Sequence, residues 1–104
     1  MGEPKVTREG TKAVIQPDES LVASTAPQLR TLMLELVQGG VKGMIVDFTE
    51  TKMVDSTGIG LLISAHNSLS KAGGSLSVIH VSRDILDLFA TMRMNRLFSV
   101  SASS

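Results

Sequence analysis

The chain has 104 residues, 10 basic and 10 acidic side chains that cancel, an apolar fraction of 42% and a mean hydropathy of +0.21. That length supports one domain with one modest core, and that apolar content argues against intrinsic disorder. Zero net charge, 3% aromatics and no cysteine leave no basic field or stacking platform for nucleic acid, no attraction to anionic lipid, no disulfide and no thiolate chemistry.

No apolar run approaches the roughly 18–20 residues of a membrane span. The start, Met1-Gly-Glu-Pro-Lys-Val-Thr7, lacks the apolar core of a secretion signal, and Val6 stands where a myristoylation motif needs Ser or Thr. The expectation is a cytoplasmic domain that recognises other proteins, with neither nucleic acid nor membrane among its partners.

Lys12-Ala-Val-Ile15 reads as a short strand, pairing with Lys5-Val-Thr-Arg8 across the Glu9-Gly10 turn. A helix follows. Thr25 and Gln28 have capping-box spacing, and Pro27 falls in the first turn, where its missing N–H does no harm. Leu29, Leu32, Met33, Leu36 and Val37 make one apolar stripe, which Gly39-Gly40 ends. The continuous run Met44-Ile45-Val46, closing at Asp47, suits a strand buried on both faces of a parallel sheet.

A second helix is predicted from Ser56 or Gly58 to Ala72, with Ile59, Leu62, Ala65, His66 and Leu69 inward and Gly73-Gly74 as its stop. Ser75 to His80 alternates as a strand. Ser82 then caps a third helix over 83–93, with Ile85, Leu88, Phe89 and Met92 on one side. Leu97-Phe98-Ser99-Val100 adds a short strand or packs, and 101–104 is expected to fray. The order β, β, α, β, α, β, α predicts a single α/β domain over 1–104, its core at about 10–100, with a mixed, mostly parallel sheet and amphipathic helices. The loop that reaches Ser56 should then open at the carboxyl end of the sheet, where α/β folds place function.

Enzyme signatures fail one by one. Asp55-Ser56 is followed by Thr57 rather than the Gly of an aspartic-protease loop, and one such loop supplies no second carboxylate. Val54 occupies the place of the first glycine in a nucleophile elbow, and Ile63 that of the third glycine in a dinucleotide loop. His66 and His80 fall on predicted apolar faces with no carboxylate at ligand spacing, so they read as satisfied core or rim histidines. No catalysis, metal or cofactor is expected.

What remains is a serine beside an acid at the mouth of a helix. Unpaired N–H groups and the positive end of the dipole tolerate a phosphate there. Phosphorylation of Ser56 would add about −1.5 to −2 charges, favoured by the helix and opposed by Asp55. The bland alternative is that Asp55 or Ser56 simply caps the helix, and capping and switching can coexist.

Val46-Asp47-Phe48, followed by Val54-Asp55-Ser56-Thr57-Gly58-Ile59-Gly60, resembles the hallmark of the STAS domain family, the bacterial anti-sigma factor antagonists. Ala26-Pro27-Gln28-Leu29-Arg30, Ala72-Gly73-Gly74-Ser75-Leu76, His80-Val81-Ser82 and Leu88-Phe89-Ala90-Thr91-Met92 resemble other family segments, so the similarity spans about 10–100. The resemblance implies that an ATP-binding serine kinase, itself an anti-sigma factor, binds the domain and phosphorylates Ser56, with Thr57 a second candidate acceptor. A metal-dependent serine phosphatase would reverse the modification, and ATP and magnesium would belong to the partner. Asp55, Ser56, Thr57 and Gly58 would form the contact loop, Gly58 admitting a partner's backbone, with Ser64, Asn67 and Ser68 extending the surface along the helix. In one departure from the family, Val22 stands where members commonly carry Asp; Asp18 and Glu19 lie earlier, and Asp18 could substitute through a different loop path. The family also contains scaffolds and small-ligand binders with no phosphoserine cycle, which leaves a non-switching module as the alternative and the oligomeric state open.

Overall fold

Apolar residues spaced for helices, alternating with short β-rich runs, build an α/β sandwich in the computed structural model of the chain, which describes residues 4–102. The strands are β1 (Lys5–Glu9), β2 (Lys12–Gln16), β3 (Ser20–Leu21), β4 (Gly43–Asp47), β5 (Met53–Val54), β6 (Ser75–Val81) and β7 (Ser99–Ala102). The helices are α1 (Ala26–Gln38), α2 (Ser56–Lys71) and α3 (Arg83–Thr91), with a 3-10 turn at Met94–Arg96. The main sheet runs β1-β2-β4-β6-β7, antiparallel only at β1–β2. The mixed, mostly parallel α/β architecture matches the sequence expectation.

Register explains the core. Ala13, Met44 and Leu76 pair across three strands, as do Ile15, Val46 and Val78, and all six are buried in one cluster with residues of α1 and α2. The opposite face, with Val14, Ile45, Ser77 and Ile79, is only half-buried. Met44-Ile45-Val46 therefore corrects the reading of a strand buried on both faces: period-2 geometry turns Ile45 away from the helices. Similarly, β7 extends to Ala102, which pairs with Val81, so residues 101 and 102 belong to the sheet rather than to a frayed tail. Residues 103 and 104 lie outside the described residues.

Two helix predictions need amendment. Thr25 precedes α1, but its side chain makes no capping bond; the hydroxyl accepts from Val22 N at 2.9 Å and bonds Ser20 O at 3.0 Å. The capping box fails because the incoming loop consumes Thr25. On α3, Ile85 and Phe89 are buried and Leu88 is half-buried, whereas Met92 is the C-cap and exposed. The short parallel pair β3–β5 was not anticipated at all. It joins the segment that leads into α1 to the segment that leads into α2, and it shapes the loop at Ser56.

Candidate functional site

The loop after β4 leaves its carboxyl end, runs through Phe48–Thr51, pairs as β5 with β3, and enters α2 at Ser56. Several short bonds hold this path. Thr51, buried, donates its hydroxyl to Asp18 O at 2.9 Å, and Lys52 N donates to Glu19 O at 2.8 Å. Asp55 N then donates to Leu21 O at 3.2 Å.

Asp55 is the N-cap. Its Oδ1 accepts from Gly58 N at 3.0 Å, and its Oδ2 accepts from Ala23 N at 3.1 Å. One carboxylate thus satisfies an orphan helix donor and ties the loop before α1 to the start of α2. The Gly58 bond, supported by those from Ala23 and Thr57, outweighs the opposing effect of desolvation and holds the Asp55 carboxyl below its ordinary range. A depressed folded-state pKa contributes stability that is present above the unfolded value and is lost as pH falls through the folded one. Asp55→Asn should therefore flatten the loss of stability below about pH 4 relative to the parent, read by urea melts between pH 2.5 and 6. A mutant curve parallel to the parent's over that range would refute the cap's share in acid stability.

Ser56 is exposed at the first position of α2, and its hydroxyl makes no hydrogen bond among the described residues. Thr57, also exposed, follows on the helix. Gly58 is buried, and the backbone it admits is the chain's own: a Cβ there would lie 2.3 Å from Leu21 O. Further along α2, Ser64 is exposed and Ser68 half-buried, both lining the groove against α1, while Asn67 is exposed and lines neither hollow in it.

Asp18 does not reach the serine. Its carbonyl sits by Thr51 at the far end of the β3–β5 pair, and Val22 and Ala23 are the residues that arrive beside Asp55. The loop path that would let Asp18 take the place of the family acid is therefore not the one the chain follows.

A second polar cluster occupies the same carboxyl edge. His80, at φ 56° beside the irregular β6–β7 register, places Nδ1 2.9 Å from Asp47 Oδ1, and Thr49 contacts both through its hydroxyl. Its side chain is 52% exposed, which corrects the expected apolar face but fits a satisfied rim histidine; 33 residues separate the pair in sequence, so no sequence spacing signals the carboxylate. Partial burial raises the Asp47 pKa, but bonds from Thr49 and His80 outweigh it and leave the carboxyl below its ordinary range. His66 differs again and corrects the reading of a satisfied histidine: Nδ1 is buried with no hydrogen-bond partner among the described residues, and the ring packs at a tilt against Phe98, 5.8 Å between centroids. The described residues contain no group of three or more metal-ligating side chains, and no helix among them is long and apolar enough to cross a membrane.

Sequence reasoning missed Leu21, Ala23 and Thr51, which fix the loop from positions 32 to 37 residues away or from a buried hydroxyl. Two-residue strands leave no periodic signal, so the β3–β5 junction had no mark in the sequence.

Comparison places this geometry in context. A curated relative, the anti-sigma-B factor antagonist of Bacillus subtilis (strain 168), is 28% identical over 80 residues, 77% of this chain and 72% of the relative. A STAS domain protein from Planctomyces limnophilus superposes with a TM-score of 0.84 at 17% identity, covering 97% of this chain and 91% of that one. The phosphorylated form of the Bacillus cell fate determinant SpoIIAA gives 0.77 at 19% identity, over 93% and 89% of the two chains. The STAS domain model matches residues 3–104, nearly the full length, and the chain belongs to the STAS domain family.

Proposed function

We propose that this chain is an anti-sigma factor antagonist that works as a phosphorylatable partner switch. The observation that carries the reading is a division of labour: Asp55 caps α2 with its own carboxylate, which leaves the adjacent Ser56 hydroxyl exposed and without a structural task. A serine that neither caps nor packs is free to be modified without unfolding the domain. Phosphate at that point would meet the helix N-terminus and the fixed negative charge of Asp55 together, turning a near-neutral contact surface acidic. The unphosphorylated domain binds an ATP-binding serine kinase that doubles as the anti-sigma factor; phosphorylation releases it, and a serine phosphatase resets the cycle. In this scheme the chain is substrate and ligand, in the cytoplasm, and the nucleotide and its metal ion sit in the partner. The phosphorylated and unphosphorylated structures of SpoIIAA share this fold, which supports the reading.

The test has two parts. Phosphopeptide mapping of the protein from its own cells, under growth and stress, should find one phosphate on Ser56 whose occupancy changes. Ser56→Asp and Ser56→Glu should weaken kinase binding by about tenfold or more, roughly 1.4 kcal/mol, whereas Ser56→Ala binds as the parent does and stays bound in the presence of ATP. A serine that stays bare in every condition while the protein sits in a stable complex would replace the switch with a scaffold.

A further inference from the structure

The two glycines of the Asp55–Gly60 segment have different explanations. Gly58 is required by the chain's own Leu21 carbonyl, as above. Gly60 is not required by anything in the fold: it is exposed in α2, its φ is not left-handed, and a Cβ would meet nothing within 4 Å. Glycine inside a helix weakens it relative to alanine. A domain answering only to its own stability would be served better by alanine at this position.

Gly60 lies on a groove between α1 and α2. Near Thr57 the groove opens into a hollow of about 400 Å³ that Pro27, Arg30, Leu61 and Ser64 also line. Arg30, Leu61 and Ser64 continue into its second part, toward Met33 and Leu34, the latter 41% exposed. Arg30 is the single charged side chain in either part, and among the described residues it makes no ion pair or hydrogen bond. The groove therefore offers an apolar floor, one unpaired cation and a bare stretch of helix backbone, and it starts one residue from Ser56.

We propose that this groove receives an acidic, apolar segment of the partner kinase, with a carboxylate against Arg30 and main chain lying close on Gly60. The charge selects the occupant: a lone cation on an otherwise apolar floor is complemented by a carboxylate on an apolar segment, and the missing Cβ at Gly60 gives that segment its closest approach. The proposal rests on the partner-switch reading and deepens it, moving the binding contact off the phosphorylated loop and onto α1. It also separates two sites of recognition. Ser56 reports the phosphorylation state, and the groove supplies affinity in the unphosphorylated state.

The experiment is titration calorimetry of the full chain against the purified kinase recovered on Ser56→Ala, comparing the parent, Ser56→Asp, Gly60→Leu, Arg30→Gln and Arg30→Glu, each with a thermal melt. Gly60→Leu should melt at or above the parent temperature, because its side chain enters open space, yet bind at least tenfold more weakly. Arg30→Glu should weaken binding more than Arg30→Gln, and Arg30→Gln should reduce its salt dependence. If Ser56→Asp weakens binding while the Gly60 and Arg30 variants bind as the parent, the groove proposal is overturned and the switch stands. If Ser56→Asp binds as the parent but the Gly60 and Arg30 variants do not, the switch fails and the groove remains the contact. Sedimentation showing that the chain alone forms a dimer that Gly60→Leu abolishes would assign the groove to a second copy and overturn the proposal.

Discussion

Gly58→Ala is expected to destabilise the domain by about 3 kcal/mol, lowering Tm by roughly 12–24 °C. The reason is the junction itself. A Cβ at Gly58 would stand 2.3 Å from Leu21 O, 2.9 Å from Leu21 Cγ and 3.1 Å from Leu21 C, and a backbone carbonyl cannot swing aside as a flexible side-chain end can. Leu21 O also accepts from Asp55 N, so moving it strains the β3–β5 pair and the cap together. Against the 5–15 kcal/mol typical of a domain, such a loss is large but leaves a folded population for measurement. Gly60→Ala is the internal control, since the same change two residues on meets open space and should stabilise by about 0.5–1 kcal/mol. Urea and thermal melts of the two variants, side by side, decide the matter. Equal melting of Gly58→Ala and the parent would mean that Leu21 does not press on α2 as closely as described.

That contrast also shows which parts of the molecule could be read in advance. Leu29-x-x-Leu32-Met33 and its continuation announce α1 because a helix writes its burial into the sequence every three or four residues. Asp55 as a cap was legible for a related reason: capping chemistry is local, three residues from carboxylate to Gly58 N–H. The same logic misled at Thr25, where the right residues had the right spacing but a neighbouring loop took the hydroxyl. Long-range neighbours leave no such trace. Nothing in the sequence around Leu21 or Ala23 says that they will meet residues 55 to 58, and nothing at His80 says that Asp47 will be its partner. The helix entrance at Ser56, the candidate phosphorylation site, was legible because it is local, and the clamp that presents it was not.

Phe89→Ala should cost about 3–5 kcal/mol and lose most of the protection of α3 against hydrogen exchange. Nine residues are too few for a stable helix on their own, so α3 depends on what it buries, and its two buried side chains are Ile85 and Phe89. Phe89 is 0% exposed and meets Phe48 at a ring-centroid distance of 6.1 Å and 54° between planes, within the range of favourable tilted aromatic pairs. Phe48 is the first residue beyond β4, where the loop to Ser56 begins, and its N–H is tied to Ile79 O at 2.9 Å. The pair therefore joins the last helix to the root of the loop that ends at the candidate phosphorylation site. Exchange measured by mass spectrometry on the folded fraction separates two consequences. Increased exchange in both 83–91 and 48–55 would make Phe89 a prop for the loop as well as for its own helix, which is the expected result. An increase confined to 83–91 would leave the loop held from its other side, by Thr51 on Asp18 and Asp55 on Ala23, and would place control of Ser56 presentation in the β3–β5 pair alone.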